Sequence, residues 1–271
     1  MSGALEKSLA ILEYLTQHPH GIALAKLSTD LNLPRSNCHR LLGELAKYGY
    51  IRQTVQHGDY ALTTKLASMG LSFLSKSGVV DIAQPILADL AQITGELVRL
   101  AVVDGDRLTL VAKEQGARSG LRYDPDMGMD LKLSCSAAGH AWLMTLSDDR
   151  AIEAVARQGL GRSDNFGPDA PATIKDLQAL LDEHRKRGFS VVRDMFAPGM
   201  SGMAAPVQLR GEAATGVVVI AGPSLRLTEQ RLVEFGPALL HAAGELAMAS
   251  VSSPLFTNTS VAEGMQQGAR G

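Results

Sequence analysis

Leu5, Leu9, Leu12 and Leu15 recur at helical spacing in "ALEKSLAILEYLTQ" and predict a first amphipathic helix over residues 4–17, ended by "HPHG". A second short helix over 23–31 turns Leu24, Leu27 and Leu31 inward, and "NLP" breaks it at Pro34. A third runs from Arg35 to Lys47, buries Cys38, Leu41, Leu42 and Leu45, and stops at Gly49. Two short helices joined by a three- or four-residue turn make a helix-turn-helix pattern. After Gly49 the period changes from helical to extended. "YIRQTVQHGDYALT" gives a strand over 50–54, a turn signal at His57-Gly58-Asp59 and a return strand over 60–63, a hairpin placed as a wing.

Beyond the wing, "TTKLASMGLSFLSKSG" predicts a helix that links two units, and "VDIAQPILADLAQITG" a further helix with Pro85 tolerable near its first turn. "LVRLAVVDGDRLTLVAKEQ" is the clearest hairpin, two β-rich runs around Asp104-Gly105. Helices follow from Ser136, over 149–158 and in "TIKDLQALLDEHRKRG"; then come strands over 188–193, 203–209 and 216–222 and a last helix over 228–250. A mixed sheet flanked by helices is an α+β arrangement. The partition is a winged helix-turn-helix domain over 1–63, a linker helix over 64–78, a second domain over 79–250, and an aperiodic, polar tail over 251–271 expected to be disordered, with local packing open to Pro254, Leu255 and Phe256.

Composition agrees with two ordinary cores: 271 residues, 45% apolar and 20% charged. No run of about 18 apolar residues occurs and Met1 opens no export signal, which reads as a soluble, cytoplasmic protein without a membrane partner. Cys38 and Cys135 stand far apart, the seven histidines are scattered, and neither shows metal-ligand spacing, so reduced thiols and no metal or cofactor are expected. The net charge of −2 hides an asymmetry. Residues 1–78 carry eight Lys/Arg against five Asp/Glu, a balance of +3 that leaves −5 for the remainder. A small basic unit joined to a larger acidic one suits a DNA reader with a regulatory domain, although a solvated helical face would look similar.

In a winged helix the third helix enters the major groove and the wing tip touches the backbone or the minor groove. With Leu41, Leu42 and Leu45 turned inward, the opposite face presents Arg35, Ser36, Asn37, His39 and Arg40. Arg can pair bidentately with guanine and Asn with adenine, while Ser36 and the first-turn N–H groups suit phosphate. Arg52 and His57 extend the candidate DNA-binding set into the wing. The plainer alternative makes Ser36 and Asn37 cap residues and Arg40 a solvated charge. In the second unit, Ser134, Cys135 and Ser136 open a helix of small residues, Ala137, Ala138 and Gly139, whose N–H groups suit a carboxylate. The alternative there is simple capping by Ser134 or Ser136. Catalytic candidates are Cys135 with His140, Asp104 and Asp106, and Ser201. Yet "GMSGM" is not G-x-S-x-G, and residues five apart on a helix face each other poorly, so no enzyme is expected. A small-molecule sensor that never touches DNA remains the competing class.

"LPRSNCHRLLGELAKYGYI" followed by "DYALTTKLASMG" resembles the DNA-binding half of the IclR family of bacterial transcriptional regulators. "LSCSAAGHAWL" (133–143), "RGFSVVRDMFAPGMSGMAAPV" (187–207) and "VVVIAGPSLRLT" (217–228) resemble, in order, motifs of that family's second half, so the resemblance spans roughly residues 4–250. It implies a GAF-like effector domain, double-stranded operator DNA and a small organic acid as partners, repression as the outcome, and dimers through the N-terminal half that can pair into tetramers. It also implies a pocket in which main-chain amides at Ala137 and Ala138 meet the effector, with Gly128, Leu133, Cys135 and Ser136 around them. Where family members sensing small polar acids carry Asp, Cys and two Ser, this chain has Val192, Gly202, Val219 and Ala221. Met195 replaces a frequent Glu, with Asp194 beside it. Fewer hydrogen-bonding groups imply a larger or less polar effector, an aromatic or branched carboxylate.

Overall fold

The computed structural model describes residues 3–54, 58–161, 166–250 and 253. The chain divides into two compact units, 1–73 and 74–271. The first contains α1 (Ala4–Thr16), α2 (Leu24–Asp30), α3 (Arg35–Lys47) and a hairpin of β1 (Ile51–Gln53) and β2 (Tyr60–Leu62). Its core is Ile11, Leu15, Ile22, Leu27, Cys38, Leu41, Leu42, Ile51 and Tyr60. The inward face of α1 differs from the leucine spacing: Ile11 and Leu15 are buried, whereas Leu5 and Leu9 are 74% and 49% exposed. Only the C-terminal half of α1 meets the core. Between α2 and α3 the chain turns at Asn32, whose φ of 49° is left-handed, two residues before the break expected at Pro34. The strands pair antiparallel, Ile51 opposite Leu62 and Gln53 opposite Tyr60. His57, at the expected wing tip, lies outside the described residues.

α4 (Lys65–Ser77) carries the division between the units, and Gly78, left-handed at φ 67°, separates it from α5 (Val79–Thr94). Pro85 falls in the second turn of α5 rather than the first, on its exposed side, where the missing backbone donor faces water. The second unit continues with β3 (Leu97–Asp104), β4 (Arg107–Gln115), α6 (Ala137–Leu143), α7 (Asp148–Gln158), α8 (Ile174–Arg187), β5 (Ser190–Arg193), β6 (Met200–Val207), β7 (Gly216–Pro223), α9 (Glu229–Glu234) and α10 (Gly236–Ser250). The five strands form one sheet in the order β4-β3-β7-β6-β5. Every pairing is antiparallel, where a mixed sheet was expected, because β3–β4, β5–β6 and β6–β7 are successive reversals and β3 meets β7 antiparallel as well.

Alternation along the strands divides two cores. Val98, Leu100, Met203, Ala205, Val218 and Ile220 face α5 and α10, while Ala101, Ala204, Val217 and Val219 face α6, α7 and α8. A register shift between Leu100 and Ala101 makes Val111 an extra residue on β4. That bulge is why Leu108 and Leu110 join the α6 side while Ala112 joins the other. The last helix expected over 228–250 is two, α9 and α10, broken where Gly236-Pro237 cannot continue the hydrogen-bond ladder. Apart from Ser253, which is buried and donates to the Ser77 carbonyl at 2.7 Å, the tail expected to be disordered lies outside the described residues. Among the described residues, no helix is long and apolar enough to cross a membrane.

Candidate functional site

The first site is the outer face of α3. Pro34 occupies the N-cap without any side-chain cap, so Ser36 and Asn37 sit inside the first turn and do not cap it. The N–H groups of that turn have no i−4 partner inside the helix. Arg35, Ser36, His39 and Arg40 are exposed, and Asn37 is half-buried. Arg40 Nη2 donates to Asn37 Oδ1 at 3.3 Å, which aligns the two polar heads. Cys38, Leu41 and Leu42 are buried on the opposite side, and burial pushes the Cys38 thiol above its ordinary pKa. Arg52 is exposed on β1.

The second site is a pocket, partly open to solvent, on the α6 face of the sheet; the empty space within it, its open mouth included, is about 490 Å³. Its floor is set by register: Val192, Gly202 and Ala221 are successive partners across β5, β6 and β7, and Arg99 of β3 lies opposite Val219 in the next row. Ser136, Ala137 and Ala138 supply the wall from α6. Seven of the residues singled out from sequence therefore line one cavity: Ser136, Ala137, Ala138, Val192, Gly202, Val219 and Ala221. Two glycines shape this corner, Gly202 on the floor facing the wall and Gly139 within α6 facing the preceding segment. A Cβ on Gly202 would meet that of Ala137 at 3.4 Å, and one on Gly139 would lie 2.3 Å from the Leu133 carbonyl oxygen. Ser136 caps α6 by accepting the Gly139 N–H at 3.0 Å while still facing the cavity, whereas Ser134 Oγ accepts from Gly161 N.

Five others lie off the cavity. Leu133 and Cys135 are buried behind α6, and Gly128 is exposed in the β4–α6 segment, its N–H donating to Asp126. Asp194, at a left-handed φ of 48°, accepts the Gly199 N–H and holds the turn into β6; Met195 faces a separate shallow hollow beside α8.

The cavity's polar centre is a residue that the motif pattern missed. Arg99 is 5% exposed and lines the cavity, its Nη1 donates to Met129 Sδ at 3.4 Å, and its Nε has no hydrogen-bond partner. Burial lowers its pKa from the ordinary guanidinium value, against the opposing pull of Tyr123 and Asp124. Tyr123, whose ring centroid is 6.0 Å from the guanidinium carbon, and Met129 both come from the β4–α6 segment that covers the cavity. In "LVRLAVV" an alternating strand would place Arg99 toward water, but all of β3 up to Val103 is buried.

Behind α6, His140 Nε2 lies 2.7 Å from the Ser134 carbonyl and must donate to it. His140 Nδ1 then accepts from His184 Nε2 at 3.2 Å, which leaves His184 Nδ1 a buried lone pair without a partner. Burial pushes His140 down to about 4 and His184 down to about 3, and it pushes the Cys135 thiol up to about 12. His140 is thus committed to Ser134 and is not a base for Cys135.

A three-helix unit with an antiparallel wing, followed by an α+β unit that encloses a small cavity, defines a DNA-binding regulator with its own ligand domain. The model described as "IclR helix-turn-helix domain" matches residues 4–54, and "Bacterial transcriptional regulator IclR C-terminal" matches 71–248. The chain belongs to the IclR family of bacterial transcriptional regulators. It is 30% identical over 247 residues to the transcriptional repressor IclR of Escherichia coli (strain K12), covering 91% of this chain and 89% of that one. Among solved structures it is similar to an IclR transcriptional regulator from Alicyclobacillus acidocaldarius, with a TM-score of 0.78, 20% identity, and 92% and 99% of the two chains covered. It is also similar to an IclR homolog from Microbacterium hydrocarbonoxydans complexed with 4-hydroxybenzoate, with a TM-score of 0.68, 18% identity, and 89% and 98% covered.

Proposed function

We propose that this regulator is a cytoplasmic repressor that reads a near-palindromic operator as a dimer and releases or tightens on it in response to a small organic acid bound in the second unit. One observation carries the DNA half: α3 buries Cys38, Leu41 and Leu42 and turns Arg35, Ser36, His39 and Arg40 to solvent beside an uncapped N-terminus. Arg35, Asn37 and Arg40 reach base edges, Ser36 and His39 the backbone, and Arg52 with His57 the flank beside the wing. Repression is supported by the Escherichia coli relative. An aromatic or branched acid is supported by the apolar Val192, Val219 and Ala221 in the cavity wall and by the 4-hydroxybenzoate of the Microbacterium homolog.

Dimerisation through the first unit is supported by its exposed apolar residues, Leu5, Leu9, Met69, Leu71 and Phe73 on α1 and α4. Two reading heads on one palindrome multiply an affinity that a single small unit would lack. The cavity binds its acid without converting it, since the nearby thiol is held protonated and His140 is tied to the backbone. Mobility shift with the full chain and its own promoter region tests the reading. Arg35→Ala and Arg40→Ala should each weaken binding roughly tenfold or more, with relaxed preference at one operator position for a base contact and a uniform loss for a phosphate contact. Unchanged binding in both folded variants would remove α3 as the reading element, and no shift with the unaltered chain would favour a sensor that does not touch DNA.

A further inference from the structure

Among the described residues, the other charges beside Arg99 have partners. Glu96, also on β3, is gripped by Arg226, Nε to Oε1 at 2.6 Å and Nη2 to Oε2 at 2.7 Å. Lys113, the cross-strand partner of Arg99, bonds Asp124 at 2.6 Å, which removes the nearest carboxylate from contention. Arg99 is left with two uncharged neighbours, the Met129 thioether and Tyr123, and a free Nε. A buried guanidinium without an acceptor is costly, and the group that satisfies it best is a planar oxyanion taking two parallel N–H bonds. Around it the wall is apolar, from Leu110 on β4 through Leu131, Phe196 and Val219. Its other polar groups are neutral hydroxyls: Ser136, which accepts from Gly139 and keeps an O–H to donate, Ser201, which pairs with Ser224, and Tyr123.

We propose that Arg99 is the anion-binding residue of the cavity and selects a monocarboxylic acid with an aromatic or branched body, its carboxylate on the guanidinium fork and its body between α6 and the sheet. The inference rests on the reading of this cavity as the effector site. Among the described residues Arg99 is the one unmatched positive charge at the cavity, which sets the limit of one carboxylate, because a second anionic group would be buried among Leu131, Phe196 and Val219. Tyr123, its ring centroid 6.0 Å from the guanidinium carbon, lies beside the fork and helps to hold it. The hydrogen-bonding groups missing at Val192, Gly202, Val219 and Ala221 are thus replaced by one charged group on the neighbouring strand.

The test is calorimetric titration of the full-length protein with benzoate, 4-hydroxybenzoate, isovalerate, pyruvate and glyoxylate, and with benzamide and isovaleramide as uncharged counterparts. An aromatic or branched acid should bind and its amide should not. Arg99→Gln should weaken the acid roughly 30-fold or more, the loss seen when one partner of a buried charge pair is removed. Ala221→Leu, which fills the cavity, should weaken it without touching the guanidinium. Arg99→Gln binding like wild type while Ala221→Leu does not would overturn the role of Arg99 and leave the cavity as the site. Unchanged binding in Ala221→Leu would overturn both. Pyruvate or glyoxylate binding tightest, or no acid binding at millimolar concentration, would overturn the ligand class. Should Arg99→Gln fail to fold, Arg99→Lys keeps the charge and loses the fork; roughly tenfold weaker binding is expected, and unchanged binding overturns the proposal.

Discussion

His140 and His184 show how a buried pair writes a pH dependence into this fold. Both are neutral in the folded state, with pKa values of about 4 and about 3 against an ordinary 6.5, so the unfolded chain binds protons that the folded one refuses. Their contribution is complete above pH 6.5 and is lost as pH falls toward 4. Between pH 6.5 and 5 the loss is about 2 kcal/mol per histidine, from 1.36 kcal/mol for each pH unit. Urea denaturation at pH 7.5 and pH 5 measures it, and His184→Gln should flatten the slope. Legibility divides at this scale by what a residue's neighbours in sequence reveal. Arg35, Ser36, His39 and Arg40 were readable because the apolar residues of their own helix fix which face is outside. Arg99 was hidden because its meaning depends on a cover arriving from residues 123–131 and on ion pairs that occupy Glu96 and Asp124.

Among the elements, α6 is the most tightly specified. Its seven residues are all buried, and its first turn packs onto the Leu133 backbone only because residue 139 has no side chain. Gly139→Ala should lower stability by several kcal/mol, since a Cβ there meets backbone rather than a movable side chain. Circular dichroism melts would register the loss, and a melt within a degree or two of wild type would contradict this packing. The same α6 was legible as a helix start because Ser136 and the small residues after it form a recognisable N-terminus. The bulge at Val111, which decides which core Leu110 enters, leaves no mark in an alternating run of apolar residues. The α9–α10 break was written plainly as Gly236-Pro237 and was overridden by the continuous apolar spacing around it. The leucines of α1 misled in the opposite sense, because Leu5 and Leu9 keep helical spacing without a core to meet.

For the molecule as a whole, charge and period together separate a basic reading unit from an acidic ligand unit, and motif order carries the family. Sequence does not disclose how the ligand unit is closed. The segment between β4 and α6 passes over the cavity and is fastened along its length: Lys113 to Asp124, Gln115 to the Tyr123 carbonyl, Arg226 to the Leu121 carbonyl, and Gln158 to Leu131 and Leu133. On the effector reading proposed above, a bound acid is expected to exchange through openings of these fastenings. The time the regulator needs to forget a vanished signal is then a property of this strap, separate from how tightly the acid is held. Gln115→Ala, which frees the Tyr123 carbonyl and lines no part of the cavity, should speed capture and release alike in stopped-flow measurements and leave the equilibrium constant within about twofold. Slow response and weak binding become independently adjustable, and an operator controlled by this protein can outlast a brief fall in its effector.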